Sequence, residues 1–295
     1  MLKFSQVAEG QKFYENGFRT FSPKVSIVMP TYCRNAEGLL KGCIESVVNQ
    51  TFKDFEFIII DDGSSDGSQQ LIESYAMIDP RIVYVRHDVN SGFPAVRTNE
   101  GIMLARAPLI AFIFDDNSWK PNALQILVSA VEETGADMVY GDVEMTLTNE
   151  TPKRFGTWPI TIEILQLINT IANGGVLCKK SFFETYGLYD PHLILRRTCD
   201  WDLWSRALRL GANIQHVQST VGVEHGVVSP VSLGNTVHLD FKVSTAYASD
   251  DSKIAERISS LMLKSIDEYD VLDPEKILPY VRNLKEWDDI ERNIY

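Results

Sequence analysis

Residues 57–73 read FIIIDDGSSDGSQQLIE, and how this stretch is parsed decides the fold. Counted from Asp62, it fits a calcium loop: Asp62, Ser64, Asp66, Gly67 and Glu73 fall at positions 1, 3, 5, 6 and 12 of an EF-hand pattern. Counted from Phe57, it is a buried strand ending in two carboxylates and a glycine turn. An EF-hand needs a helix ahead of its loop, whereas FEFIII is a strand sequence of aromatic and β-branched residues. The loop would also carry Gln69 where an apolar residue is usual. The strand reading is therefore preferred, with Gly63 making the turn. Ser64 or Ser65 then opens the next helix, with Asp66 favourable in its first turn.

Similar apolar runs lie on either side: VSIVMPTY from Val25, IVYVRHD from Ile82, LIAFIFDD from Leu109 and DMVYGDV from Asp137. They lack clean alternation, as strands of a mostly parallel sheet covered on both faces do. Helical patterns separate them. In GLLKGCIESVVNQ, Leu39, Leu40, Cys43, Ile44, Val47 and Val48 recur at helical spacing, and PNALQILVSAVEETG runs from Pro121 to a stop at Gly135. SQQLIESYAMI and SGFPAVRTNEGIMLAR supply further helices. Strand and helix alternate, so the first half is expected to be a doubly wound α/β domain. In such sheets ligands bind beyond the carboxyl ends of the strands, where Asp61-Asp62 and Asp115-Asp116 fall.

The second half is less regular. TLTNETPKRFGTWPITIEILQL reads as a loop and an amphipathic helix, GGVLCKKSFFETYGLYD as a strand and a helix, and CDWDLWSRALRLG as a helix with Trp201, Leu203, Trp204, Ala207 and Leu208 as its apolar set. From about residue 240 the chain reads as helical and polar, with Asp273-Pro274-Glu275 as an N-cap and first turn. The partition expected is an N-terminal extension over 1–22, an α/β domain over 23–228 and a mainly helical extension over 229–295.

The chain has 295 residues, 44% hydrophobic and 23% charged, the composition of a globular protein. No segment approaches the roughly 20 apolar residues that span a bilayer, and MLKFSQVAEGQKF has no apolar run of signal-peptide length. A cytoplasmic location is the expectation, peripheral to the inner face of the membrane if the C-terminal helices dock there. Cys33, Cys43, Cys178 and Cys199 make no zinc pattern and are expected to be reduced thiols. The net charge of −12 disfavours nucleic acid, whose phosphates need clustered Lys and Arg. An acidic protein that binds a phosphorylated small molecule needs a local remedy, usually a divalent cation held by carboxylates.

IAFIFDDNSW is the most informative stretch for chemistry. A hydrophobic strand delivers Asp115 and Asp116 to one spot, where adjacent carboxylates can hold a hard cation or simply cap the next helix. The longer pattern adds to this. PKVSIVMPTYCRNAEGLLKGCIESVVNQTFKDFEFIIIDDGSSDGS resembles the opening of family-2 glycosyltransferases of the GT-A fold. The resemblance continues through NSGFPAVRTNEGIMLARAPLIAFIFDDNSW and, more loosely, GGVLCKKSFFETYGLYDPHL and CDWDLWSRALRLG, covering roughly residues 23 to 225.

This resemblance implies a mixed, mainly parallel sheet flanked by helices, and an inverting sugar transfer from a nucleotide-diphosphate donor, most simply a UDP-sugar, assisted by Mn²⁺ or Mg²⁺. The acceptor implied is a glycan or glycolipid, with bacterial surface polysaccharide as one destination. Carried over residue by residue, Pro30, Thr31 and Tyr32 lie near the nucleotide, and Asp62 matches the carboxylate that binds base or ribose, with Asp61 beside it. Arg97 falls in the segment that passes near the diphosphate. Asp116 is the candidate metal ligand, Asp115 the candidate ribose or sugar contact, and Asp200 matches the catalytic base, with Asp202 as a fallback. Asp200 also sits where a helix N-cap would. His225 is a weaker metal candidate, and Trp158 and Arg197 are acceptor-side candidates, the acceptor site being expected from residues 144–172 and later loops. Phe114 stands where many members carry aspartate, and Cys199 where glutamate is common. These departures keep open a non-catalytic GT-A module that binds nucleotide sugar or glycan without turnover. A dehydrogenase fits poorly, since no Gly-x-Gly-x-x-Gly follows the first strand. The C-terminal helices are expected to close the site, form a homodimer contact, or dock to a membrane or protein partner.

Overall fold

A computed structural model describes residues 2–9, 12–15, 22–147, 153–156, 159–226 and 241–292. Trp158 and His238 lie outside the described residues. One 10-stranded sheet organises the chain. Its edge strand β1 (Lys12–Glu15) runs antiparallel to β4 (Ile82–Arg86). Next come β3 (Phe55–Asp61), β2 (Val25–Thr31) and β5 (Leu109–Phe112), all parallel to β4 and to one another. Beyond β5 the sheet becomes mixed, passing through β9 (Val176–Lys179), β7 (Met138–Leu147) and β10 (Ile214–Gly226) to the short β6 (Asn117–Trp119), with β8 (Lys153–Phe155) on the flank of β7.

The missing alternation in the strand sequences has a direct cause, since both faces of the parallel nucleus are buried. Val28, Ile58 and Ile60 point into one core and Ile27, Met29, Phe57 and Ile59 into another. The second core is roofed by α2 (Leu39–Val48), α3 (Ser68–Ala76) and α5 (Ala123–Thr134). The first is covered by α4 (Pro94–Leu104), α7 (Lys180–Tyr186) and α8 (Cys199–Arg209), joined by Phe4 of α1 (Phe4–Ala8). Leu261, Ile266, Tyr269 and Val271, far along the chain, complete that same core. Backbone bonds from Phe4 N to Tyr269 O, Val271 N to Leu2 O and Leu188 N to Leu261 O stitch the two termini onto the α/β body. The remaining short helices are α6 (Ile162–Leu165), α9 (Phe241–Ala248), α10 (Ile254–Ser260) and α11 (Leu284–Glu291). Gly101 lets α4 lie on β2: a Cβ there would stand 2.3 Å from Val28 Cγ1.

The turn after β3 differs in detail from the sequence expectation. Helix α3 starts at Ser68 rather than Ser64 or Ser65, behind a left-handed Gly67. Asp66 instead accepts backbone N–H bonds from Asn35 and Ala36 (2.8 and 3.1 Å), tying this turn to the loop after β2. A strand precedes the loop and its acids point to different partners, so no calcium loop forms. Gly63 makes the turn at φ +79, and a Cβ there would meet Asn90 N at 2.8 Å. Strand β10 is polar and Gly-interrupted and β8 is only the three residues Lys153–Phe155, so neither carries a strand signal in the sequence.

Candidate active site

The loops at the carboxyl ends of β2, β3 and β5 open onto a cavity of about 900 Å³. One side is walled by Pro30, Thr31 and Tyr32 from the end of β2 and by Asp62, Ser91 and Arg97. Asp62 is nearly buried and already serves as a knot. Its Oδ1 accepts Ser91 N at 2.9 Å and Arg97 Nε at 2.6 Å, and its Oδ2 accepts Ser91 Oγ at 2.9 Å and Gly92 N at 3.2 Å. Those donors fill the roughly four acceptor positions of a carboxylate. The shape of the 90–92 loop therefore depends on Asp62. Arg97 also donates to Glu100 at 3.1 Å, and Glu100 in turn approaches His87 at 3.0 Å. Asp61 departs from its expected role. It is fully buried, off the cavity wall, accepting Ser64 N (2.9 Å) and Tyr84 Oη (2.8 Å), and so braces the turn instead of facing a ligand.

β5 stops at Phe112, so Asp115 and Asp116 stand on the bend between β5 and β6 rather than on a strand. Both line the cavity. Asp115 accepts Tyr32 N at 3.0 Å, and Arg34 Nε lies 3.5 Å from its other oxygen. Arg34 Nη2 is 3.8 Å from Asp116, while Nη1 donates to Glu37 at 3.0 Å. Burial raises the proton affinity of both aspartates, and the Arg34 guanidinium offsets part of that rise. Asp116 Oδ1 also accepts from Asn117 at 2.9 Å. His225 is held here through its backbone, donating to Asp116 O at 2.8 Å. Its Nε2 instead meets Ser118 Oγ at 3.0 Å, away from the cavity wall, contrary to its expected place as a metal ligand. Among the described residues, no group of three or more His, Cys, Asp and Glu is placed to hold a metal ion. The Asp115–Asp116 pair still fits a hard divalent cation of the kind that takes one or two carboxylates and completes its shell from substrate phosphates. Arg34 is the resident counter-charge of that pair.

Asp200 also lines the cavity, from the first turn of α8. It is not the N-cap, a position held by Thr198. Asn169 Nδ2 donates to Asp200 Oδ2 at 3.0 Å. Burial pushes the Asp200 carboxyl above the ordinary aspartate range, and Asp202 adds to the rise. Asp202, the fallback base, is turned the other way: it is fully buried and bonded to Arg206 and Arg257, each at 2.6 Å. Arg197 lines the cavity and lies over the Phe241 ring at 5.0 Å. Arg196 donates to Gly92 O at 2.5 Å, bridging the two walls. Trp204 is fully buried and Trp201 Nε1 donates to Leu165 O, so both serve packing. Phe114 and Cys199, the departures noted in the sequence, both face the cavity.

Sequence reasoning passed over Arg34, Asn169 and Glu224, all on the cavity wall. Glu224 sits on β10 opposite Asn117, and burial together with Asp116 and Asp200 pushes its carboxyl up to about 7. Its neighbour His225 carried the only local signal.

A parallel nucleus that turns mixed, with an acidic pair past the end of β5 and a further aspartate lining the same cavity, defines the GT-A class of nucleotide-sugar transferases. The chain belongs to glycosyl transferase family 2, whose model matches residues 26–188. It is 41% identical over 181 residues to the glycosyltransferase EpsH of Bacillus subtilis, covering 58% of this chain and 51% of that one. It is 32% identical over 197 residues to the GalNAc(5)-diNAcBac-PP-undecaprenol beta-1,3-glucosyltransferase of Campylobacter jejuni, covering 67% of this chain and 61% of that one. With the colanic acid biosynthesis glycosyl transferase WcaA of Escherichia coli it shares 42% identity over 108 residues, 37% of this chain and 38% of that one. The matches thus span less than two thirds of each of these relatives. The crystal structure of S. aureus TarS in complex with UDP-GlcNAc superposes with a TM-score of 0.64 at 14% identity, over 92% of this chain and 79% of that one, a likeness of fold.

Proposed function

We propose that this chain transfers a sugar from a UDP-sugar to a hydroxyl group of a glycan or glycolipid, with inversion at the anomeric carbon and Asp200 as general base. The observation that carries the reading is that Asp115 and Asp116, from the turn after β5, and Asp200, from α8, line a single cavity. The acceptor hydroxyl enters between Asp200 and the donor. Its oxygen bonds to the anomeric carbon as the bond from that carbon to the diphosphate oxygen breaks. The electron pair leaves with the diphosphate, and the hydroxyl proton passes to Asp200. A raised proton affinity suits a base that must take a proton from an alcohol and release it to water. Arg196 and Arg197 line the same cavity and offer positive charge to the departing diphosphate. A divalent cation held by Asp116 and Asp115 would supply further charge neutralisation there. The Asp62 knot holds Ser91 and Gly92 as the nucleotide-side wall.

The UDP-sugar choice is supported by the UDP-GlcNAc bound to the structural neighbour, and the glycolipid choice by the polyprenol-linked glycan in the name of the Campylobacter relative. Among the described residues no helix is long and apolar enough to cross a membrane. The test is a thermal-shift screen of nucleotide sugars with and without Mn²⁺, followed by assay of UDP release. A ligand that binds only the native state raises its melting temperature by mass action. We expect a shift with UDP or a UDP-sugar that grows with Mn²⁺, and slow UDP release that Asp200→Asn abolishes. Binding without release would favour a non-catalytic sugar-nucleotide module, and no shift with any nucleotide would refute the reading.

A further inference from the structure

Beneath Asp200 lies an ion cluster that the transfer reaction does not use directly. Asp190, Asp202 and Arg206 are fully buried and Arg257 is nearly so. Arg257 Nη2 donates to Asp202 Oδ1 at 2.6 Å and to Asp190 Oδ2 at 2.8 Å, with Nε adding a bond to Asp190 at 3.1 Å. Arg206 Nη1 donates to Asp202 Oδ2 at 2.6 Å, and its other nitrogens donate to the Tyr186 and Leu188 carbonyls. The Tyr247 and Tyr269 hydroxyls donate to Asp190, and the Arg257 guanidinium lies over the Tyr247 ring at 4.6 Å. Two acids and two guanidiniums make a neutral cluster, but its members come from different parts of the chain. Asp202 and Arg206 belong to α8, Asp190 to the segment before it, and Arg257 to α10, and all four lie beyond the residues matched by the family model.

We propose that Arg257 is a positioning residue of the transfer reaction: it locks the Asp200-bearing turn of α8 against the C-terminal segment and shields Asp200 from the charge of Asp202. The inference rests on the reading of Asp200 as the base. Asp202 is two residues along the same helix, and both of its oxygens are spoken for by guanidiniums. Without Arg257, one oxygen of Asp202 and one of Asp190 lose their guanidinium. Uncompensated buried charge is costly for the local structure, and the share on Asp202, two residues from Asp200, is the share felt by that titrating group. The other groups facing Asp200 are Cys199 on α8, Tyr189, Asn169, Glu224 from β10, and Arg196 and Arg197 on the same cavity. Asp202 both bonds Arg257 and acts on Asp200 through its charge, so removal of Arg257 reaches Asp200 through Asp202.

The experiment uses the full chain and two readouts. The first is the pH dependence of UDP release from UDP-glucose, UDP-galactose or UDP-GlcNAc, whichever raises the melting temperature, with water as acceptor. The second is amide hydrogen exchange over residues 199–204, which needs no turnover. In Arg257→Met we expect the acid limb of kcat/KM to move up by about one pH unit, the effect of one uncompensated charge nearby, and exchange over 199–204 to quicken at least ~10-fold as the turn loosens. Arg257→Lys should recover most of both. The Asp202→Asn/Arg257→Met double variant should bring the acid limb back to or below the wild-type position, because the offending charge is gone. A purely structural role predicts instead that the double variant is no better than the single one. An unmoved limb with unchanged exchange in Arg257→Met would overturn the proposal, as would unchanged exchange alone if no UDP-sugar turns over. Retention of wild-type release in Asp200→Asn would overturn the base assignment separately.

Discussion

The two walls of the cavity are held by different kinds of structure. On the side proposed for the nucleotide, Pro30, Thr31 and Tyr32 continue a strand that is hydrogen-bonded to neighbours on both edges, and Asp62 is fixed by donors from Ser91, Gly92 and Arg97. On the side proposed for the acceptor, Asp200 rides the first turn of a helix and takes a side-chain hydrogen bond from Asn169 in an irregular segment. Its firmest anchor lies behind it, in the buried cluster reached from the C-terminal segment. The difference suits the division of work: a fixed wall is preorganised for a donor moiety of constant shape, while a wall built from loops can vary with the acceptor.

If the division holds, substitutions on the two walls should separate binding from turnover. The largest effect is expected for Asp200→Asn, which should lower kcat by ~10²–10⁴-fold, the usual worth of general-base catalysis, while UDP affinity measured by calorimetry stays at the wild-type value. A parallel loss of UDP affinity would erase the distinction between the walls. The pH profile sharpens the same point. Asp200 acts only when ionised and its proton affinity is raised, so kcat/KM should fall as pH drops through a limb that lies above the ordinary aspartate range of about 3.9.

Asp116→Ala should come next, removing the Mn²⁺-dependent part of the UDP thermal shift and lowering turnover by ~10²-fold, as loss of a charge-stabilising group does. Asp62→Ala should weaken UDP binding by about tenfold and destabilise the fold by roughly 1–3 kcal/mol, because Arg97 and the Ser91 and Gly92 amides lose their acceptor. Chemical denaturation and calorimetry read these effects separately. Arg34→Ala should have the smallest effect on turnover, tightening Mn²⁺ binding a few-fold, since the Arg34 guanidinium, 3.5 Å from Asp115 and 3.8 Å from Asp116, competes for the same carboxylates. Weaker Mn²⁺ binding in that variant would show that Arg34 supports the cation site.

The fixed wall was also the more legible one. Strands β2 to β5 announce themselves as apolar β-branched runs because both of their faces are buried, and the acidic residues just past β3 and β5, Asp62 and Asp115-Asp116, mark where the sheet meets the cavity. Neighbouring carboxylates were harder to tell apart. Asp61 and Asp62 alternate by strand geometry, one turned to Tyr84 and the other to the cavity, and a strand sequence does not say which is which. Asp200 and Asp202 are a similar case, since helical rotation sends Asp202 inward to Arg257, a partner more than fifty positions away. Strand β10 was hidden because its residues are only partly buried, so Glu224 went unnoticed beside His225. Asn169 and Arg34 act through contacts between loops, and such contacts leave no periodic signal.

Crystals grown with UDP and Mn²⁺ test the central claim most directly. The account predicts the diphosphate and an anomalous manganese peak beside Asp116, the nucleoside against Ser91 and Tyr32, and the Asp200 carboxylate across the same cavity with no other protein group between. UDP bound outside this cavity, or seated so that Asp200 is walled off from the diphosphate side, would contradict it.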